Sequence, residues 1–180
     1  VTGPVLRTAR LRIRPLAMED VPRLAEIFSD PCTTRWLASS DLSTVDRVRE
    51  WASVRIGTAY PDGMGYLTYL LDNTVVGFGH LRPSRELPEP TVETGWTVDP
   101  AYWGRGLAGE AAQAVVDFGL EELGLPAVWA LVRPENGPSL RLAGRLGFRE
   151  VATGLHYGEP HRVLVRLGEI SPPVAALPRV

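Results

Sequence analysis

The chain contains no lysine; all 19 of its basic residues are arginine. That absence excludes Schiff-base chemistry and the phosphate-binding lysine of a P-loop. A single cysteine, Cys32, leaves no internal disulfide and no cysteine-cluster zinc site, and suits a reducing cytoplasm. His80, His156 and His161 lack the spacing of metal ligands, so no metal is expected. Long apolar runs are missing as well. The longest, Ala127 to Val132, falls far short of a bilayer span, and Val1 to Arg14 lacks the apolar block of a signal peptide. Neither sign of charge dominates: 21 acidic residues face the 19 arginines, for a net charge of −2. No arginine run resembles a nucleic-acid tail. Nucleic acid and membrane are therefore not expected partners.

What is present suffices for one domain. The chain has 180 residues, of which 44% are hydrophobic, which excludes disorder as the main state. The domain is expected over residues 1–168. A Pro-rich tail over 169–180, densest from Ser171, is loosely held unless it docks.

Arg10 to Arg14 alternate charged and apolar, the mark of a half-buried strand whose arginines face water. Glu19 to Phe28 carries apolar residues at helical spacing, and Asp30-Pro31 stops it. Ser43 and Asp46 resemble an acidic capping box for a helix reaching Thr58. Tyr66 to Leu71 and Thr74 to Leu81 flank Asp72-Asn73 as a β-hairpin. After a Pro-rich loop, Thr91 to Val98 forms a third meander strand. Ala108 to Leu123 is the clearest helix, capped by Gly124. Ala127 to Val132 reads as a central strand buried on both faces. A short helix from Ser139 to Leu146 and strands over Phe148 to Thr153 and Arg162 to Leu167 complete the order. The class is α+β around one mixed, mostly antiparallel sheet with about four helices. The hairpin and the final strands offer edges for a possible homodimer.

The informative segment joins the third meander strand to the clearest helix. Gly104, Gly106 and Gly109 let backbone approach a ligand closely. The free N–H groups at the helix start favour negative charge, so the turn reads as an anion site, suited to a pyrophosphate. A glycine-rich connection with no ligand is the plain alternative. A dinucleotide fold would place this loop after the first strand of a parallel sheet, not after three antiparallel ones.

At these residues the chain resembles the GNAT acyl-CoA-dependent N-acetyltransferases, and within them the RimJ/RimL branch that acetylates ribosomal-protein N-termini. The resemblance runs over about residues 6 to 167. Thr8 to Leu16, Glu93 to Trp96, Trp103 to Ala111, Asn136 to Ser139 and Leu146 to Phe148 carry it by order and spacing. It implies a single domain with a splayed central sheet. It also implies acetyl-CoA as donor, the pyrophosphate held by the amides of Gly104, Arg105, Gly106, Leu107, Ala108 and Gly109. Trp103 stands where the family loop usually has Gln or Arg. The pantetheine arm would lie against the strand through Trp96, Thr97 and Val98, bonding free backbone groups of Trp96 and Val98. Asn136 would bond the arm or fix its loop.

The resemblance further implies direct transfer to a primary amine, such as a protein N-terminus. Glu93 corresponds to a carboxylate used as base in part of the family; its alternative is a strand carboxylate facing water or paired with an arginine. Many relatives protonate the leaving thiolate with a Tyr where this chain has Ala143. Ser139 is the substitute, its alternative an ordinary hydroxyl at a helix start. Arg105, Arg141 and Arg145 are candidates for the adenosine phosphates. His161 is a candidate for the acceptor site, and Trp36, Trp51, Tyr66 and Tyr157 for its walls, or else for core packing. Other readings stay open. A small-molecule acetyltransferase acting on an aminoglycoside or polyamine would need a cleft rich in Asp and Glu. The absent Tyr at 143 motivates a non-catalytic acyl-CoA-binding module. The glycine loop alone also admits a nucleotide.

Overall fold

Asp72 and Asn73 both adopt left-handed backbone, with φ of 49° and 64°. A turn of that kind matches the twist of two antiparallel strands. It joins β3 (Gly65–Leu71) to β4 (Thr74–Pro83), as the sequence predicts. The computed structural model describes residues 3–37 and 42–169. The Pro-rich segment from Ser171 lies outside the described residues.

Eight strands form one sheet in the order β1-β2-β3-β4-β5-β6-β8-β7. The remaining six are β1 (Leu6–Arg7), β2 (Leu11–Pro15), β5 (Val92–Val98), β6 (Ala127–Val132), β7 (Arg149–His156) and β8 (Glu159–Leu167). Every adjacent pair is antiparallel except β5 and β6, which a helical crossover makes parallel. The β3–β4 hairpin is interior, because β2 covers β3 and β5 covers β4. The expectation that this hairpin offers an edge is therefore corrected. The sheet ends at β1 and β7.

Five α-helices accompany the sheet: α1 (Val21–Phe28), α2 (Pro31–Thr34), α3 (Val45–Gly57), α4 (Leu107–Asp117) and α5 (Gly137–Arg145). Asp30 does more than stop α1. Its carboxylate accepts from Cys32 N at 2.7 Å and caps α2, a helix the sequence reading missed. Helix α3 is capped by Thr44 rather than Ser43, since Thr44 holds the extended backbone just before the helix and accepts from Arg47 N. Helix α4 ends sooner than its apolar pattern suggests. One wide π turn over Phe118–Glu122 carries the chain on to Gly124, whose φ of 64° closes it. No helix among the described residues is long and apolar enough to cross a membrane.

The two faces of the sheet bury separate cores. One joins β2–β6 to α4 and α5 through residues such as Leu67, Leu81, Val116 and Val128. The other lies under α1 and α3, where Phe28, Trp51 and Phe78 meet edge to face with centroids 5.1–5.4 Å apart. Strand β6 departs from expectation. Val128, Ala130 and Val132 are buried, but Trp129 and Leu131 are only half-buried. Trp129 and Leu131 lie on the opposite face of the strand, which is covered less completely.

Candidate active site

Strands β5 and β6 run the same way, yet Glu93 and Trp129 are their one residue pair in register among the described residues. Beyond Glu93 the two strands separate. Two cavities fill the fork, of about 280 Å³ and about 510 Å³. Both are lined by Trp36, Trp96, Thr97, Asn136 and Ser139, so they meet there.

The larger cavity runs along the C-terminal half of β5 to the start of α4. Trp96, Thr97 and Val98 line one side, and Trp103, Gly104, Gly106, Leu107, Ala108 and Gly109 line the other. Gly104 and Gly106 have φ of 72° and 78°, a conformation that glycine adopts without strain. Gly106 is the N-cap of α4, so the free amides of the first turn follow it. Of the residues expected on β5, in the glycine loop and at the start of α4, only Arg105 does not line the cavity. Its guanidinium lies over the Tyr102 ring at 5.2 Å. Arg145 lines the cavity and Arg141 does not. The carbonyl of Val98 is not free as expected: the Trp103 indole donates to it at 2.7 Å. Trp103 thus ties the loop to the end of β5.

A second tie escaped the sequence reading. The Glu110 carboxylate, in the first turn of α4, accepts from the Thr8 hydroxyl, from Arg10 N at 2.8 Å and from Arg10 Nε at 2.7 Å. Arg10 Nη1 then donates to the carbonyl of Arg105 at 2.8 Å. Burial would raise the Glu110 pKa, but the bonds from Thr8 and Arg10 outweigh it and hold it down. The turn before β2 therefore braces the glycine loop. The signal was available as a lone acid beside the glycines and an arginine at a strand start, but nothing local pairs residues 100 apart.

The smaller cavity is built on β4 and β5. His80 and Arg82 share a strand face, and Arg82 stands opposite Glu93 in register. Glu93 is buried, 4% exposed. It accepts from Ser84 Oγ at 2.8 Å, from Tyr157 Oη at 3.1 Å and from Arg82 Nη2 at 3.4 Å. Burial pushes its pKa up, but His80, the Arg82 cation and the Ser84 hydroxyl overcome that and draw it down to about 2. Tyr157 is pushed up to about 12 by burial and by the Glu93 charge, so at neutral pH it is a donor. It sits at φ 52° in the β7–β8 turn, a rare conformation for an aromatic residue.

His80 Nε2 stands 3.5 Å from Glu93 Oε1 and is buried with no hydrogen-bond partner. Burial lowers its pKa, leaving the ring neutral. Its seat depends on Gly95, where a Cβ would come within 2.7 Å of His80 Cε1. His161, also buried, lines the same cavity with Nδ1 2.9 Å from the Glu159 carbonyl. A carbonyl only accepts, so that nitrogen carries the proton. Trp36, Trp51, Tyr66 and Tyr157 all line this cavity. Among the described residues no three His, Cys, Asp or Glu side chains gather as a metal site.

Ser139 faces both cavities. Its backbone N–H donates to Asn136 Oδ1 at 3.2 Å, which makes Asn136 the cap of α5, while no hydrogen bond among the described residues uses the Ser139 hydroxyl. Ala143 lies one turn further along the same helix, 1% exposed in the core, and brings no hydroxyl.

A family model described as an acetyltransferase (GNAT) domain matches residues 10–149. The chain belongs to the GNAT family. The GNAT family uses acetyl-CoA, and the chain is an N-acetyltransferase of that family. It is 27% identical over 150 residues to the uncharacterized N-acetyltransferase p20 of Bacillus licheniformis, covering 81% of this chain and 82% of that one. A GNAT-family acetyltransferase structure from Bordetella pertussis is 31% identical with a TM-score of 0.74, covering 91% and 99%. The structure of Mycobacterium smegmatis RimJ in complex with CoA-disulfide shares the GNAT fold with a TM-score of 0.76 at 22% identity, covering 90% and 84%.

Proposed function

We propose that the chain transfers an acetyl group from acetyl-CoA directly to a primary amine, the donor in the larger cavity and the acceptor in the smaller. The junction of the two cavities at Ser139 carries this reading. A thioester carbonyl placed there is reachable by an amine from the other side, so no covalent enzyme intermediate is needed. The α4 amides and the glycine loop suit a pyrophosphate. The parted β5 edge suits the extended, amide-bearing arm, because buried backbone groups are rarely left unpaired.

Only a neutral amine attacks, so the site must remove a proton. Glu93, the base expected from the resemblance, is ionised but weakly basic at about 2, since the neighbouring His80, the Arg82 cation and the Ser84 hydroxyl outweigh its burial. His80 is better placed to take the proton. Its ring is neutral, its Nε2 lacks a partner, and Glu93 beside it offsets the positive charge that forms. Ser139, with a free hydroxyl at the junction, donates to the departing thiolate. A protein N-terminus and a small amine both remain acceptors on this reading.

The test is thiol release from acetyl-CoA across a panel of peptide N-termini and small amines, with both substrates varied. Intersecting double-reciprocal lines are expected for direct transfer. Parallel lines would replace it with an acetyl-enzyme route, and no thiol with any amine would leave a binding module.

A further inference from the structure

Among the described residues the smaller cavity is lined by four arginines, Arg55, Arg82, Arg85 and Arg133, and by one carboxylate, Glu93. That carboxylate is already matched to Arg82. Arg55, Arg85 and Arg133 have no carboxylate within ion-pair distance among the described residues. Arg55 is the most telling of them. Its Nη1 donates to the Trp51 carbonyl at 3.0 Å, but its Nε is buried without a partner. A buried guanidinium N–H left open calls for an acceptor. Burial lowers its pKa by more than the contact with Tyr66 raises it, and the nearby Arg85 cation lowers it further.

The aromatic walls point the same way. Aromatic faces capture ammonium groups when they are free. Here Arg55 lies over Trp51 at 4.3 Å and over Tyr66 at 5.1 Å, and Arg35 lies over Trp36 at 4.5 Å. Those faces already hold cations. A polyamine or aminoglycoside would enter a cleft with surplus positive charge and occupied rings, against the acidic cleft such substrates need.

We propose that the acceptor is a primary amine that also carries an anionic group, a carboxylate or a phosphate, which Arg55, Arg85 and Arg133 receive while the amine meets His80. The inference rests on the reading of this cavity as the acceptor site. It deepens that reading by naming the substrate class.

Matched amines test it. Phenylalanine against phenethylamine isolates a carboxylate, O-phosphoethanolamine against ethanolamine isolates a phosphate, and spermidine supplies the opposite charge. Binding is measured by calorimetry on the intact protein with and without coenzyme A, and transfer by thiol release. At least about tenfold tighter binding is expected for the anionic member of one or both pairs, with spermidine weakest. The pair that shows the gap identifies the anion. The gap should narrow in an Arg85→Gln, Arg133→Gln double variant and with added salt. Equal binding within both pairs, tighter spermidine, or a gap untouched by the double variant overturns the proposal. If anionic amines bind selectively but release no thiol, the substrate class stands and the transfer reading falls.

Discussion

Replacing Glu93 by Gln imitates a permanently protonated carboxyl in nearly the same shape. Glu93 is 4% exposed, and its pKa lies at about 2 against an ordinary 4.5. A depressed pKa contributes stability that is complete above the unfolded value and is lost as pH falls through the folded one. The contribution is roughly 3 kcal/mol near pH 7 and falls to roughly 1 kcal/mol near pH 3. The variant should therefore be about 3 kcal/mol less stable near neutrality, with Arg82 left buried beside an amide. Near pH 3 the gap should shrink to about 1 kcal/mol, because protonation then removes the same charge from the parent protein. Urea unfolding followed by tryptophan fluorescence at several pH values measures both curves. Parallel curves with a constant gap would show that Gln acts through packing alone and that the Arg82–Glu93–Tyr157 cluster does not hold the charge. Turnover should fall as well, since His80 loses its counter-charge.

Four further outcomes follow from the same geometry. His80→Gln should cut kcat by about 100-fold or more, recovering in part at high pH where the amine is already neutral; a pH-rate profile identical to that of the parent would remove His80 as base. In the parent, the acid limb of kcat/KM governed by His80 should lie below its ordinary 6.5, since burial lowers this group. Ser139→Ala should lower turnover several-fold with coenzyme A affinity little changed in calorimetry; equal losses in both would make the hydroxyl a binding contact. Gly106→Glu places a side chain at φ 78° and a negative charge at the start of α4, so coenzyme A binding should weaken at least about tenfold; unchanged affinity would move the pyrophosphate elsewhere.

Local signals made much of the fold legible. Alternation over Arg10 to Arg14, the Asp72-Asn73 turn and the glycines after Val98 each act through backbone preferences within a few residues. The fork itself was implied only by the family resemblance, because strand separation is a property of two segments some 30 residues apart. Ser139 and the loop glycines line the expected cavity. The Glu93 surroundings were not foreseen as a unit. Arg82 and Ser84 come from the neighbouring strand and the loop after it, and Tyr157 from a turn 64 residues beyond Glu93. The polar alternation His80, Arg82, Ser84 was the one clue, since residues two apart share a strand face. The alternative held open for Glu93, pairing with an arginine, is what the structure contains.

The brace from Thr8 and Arg10 to Glu110 makes the glycine turn something other than a portable cassette. Spliced into a foreign sheet as residues 98–111, it would arrive without the threonine and arginine that pin its far side. A fragment trimmed to start after Arg10 would carry the same defect while keeping every residue that faces the donor. Grafts and truncations in this scaffold should therefore keep Thr8 and Arg10 together with residues 98–111.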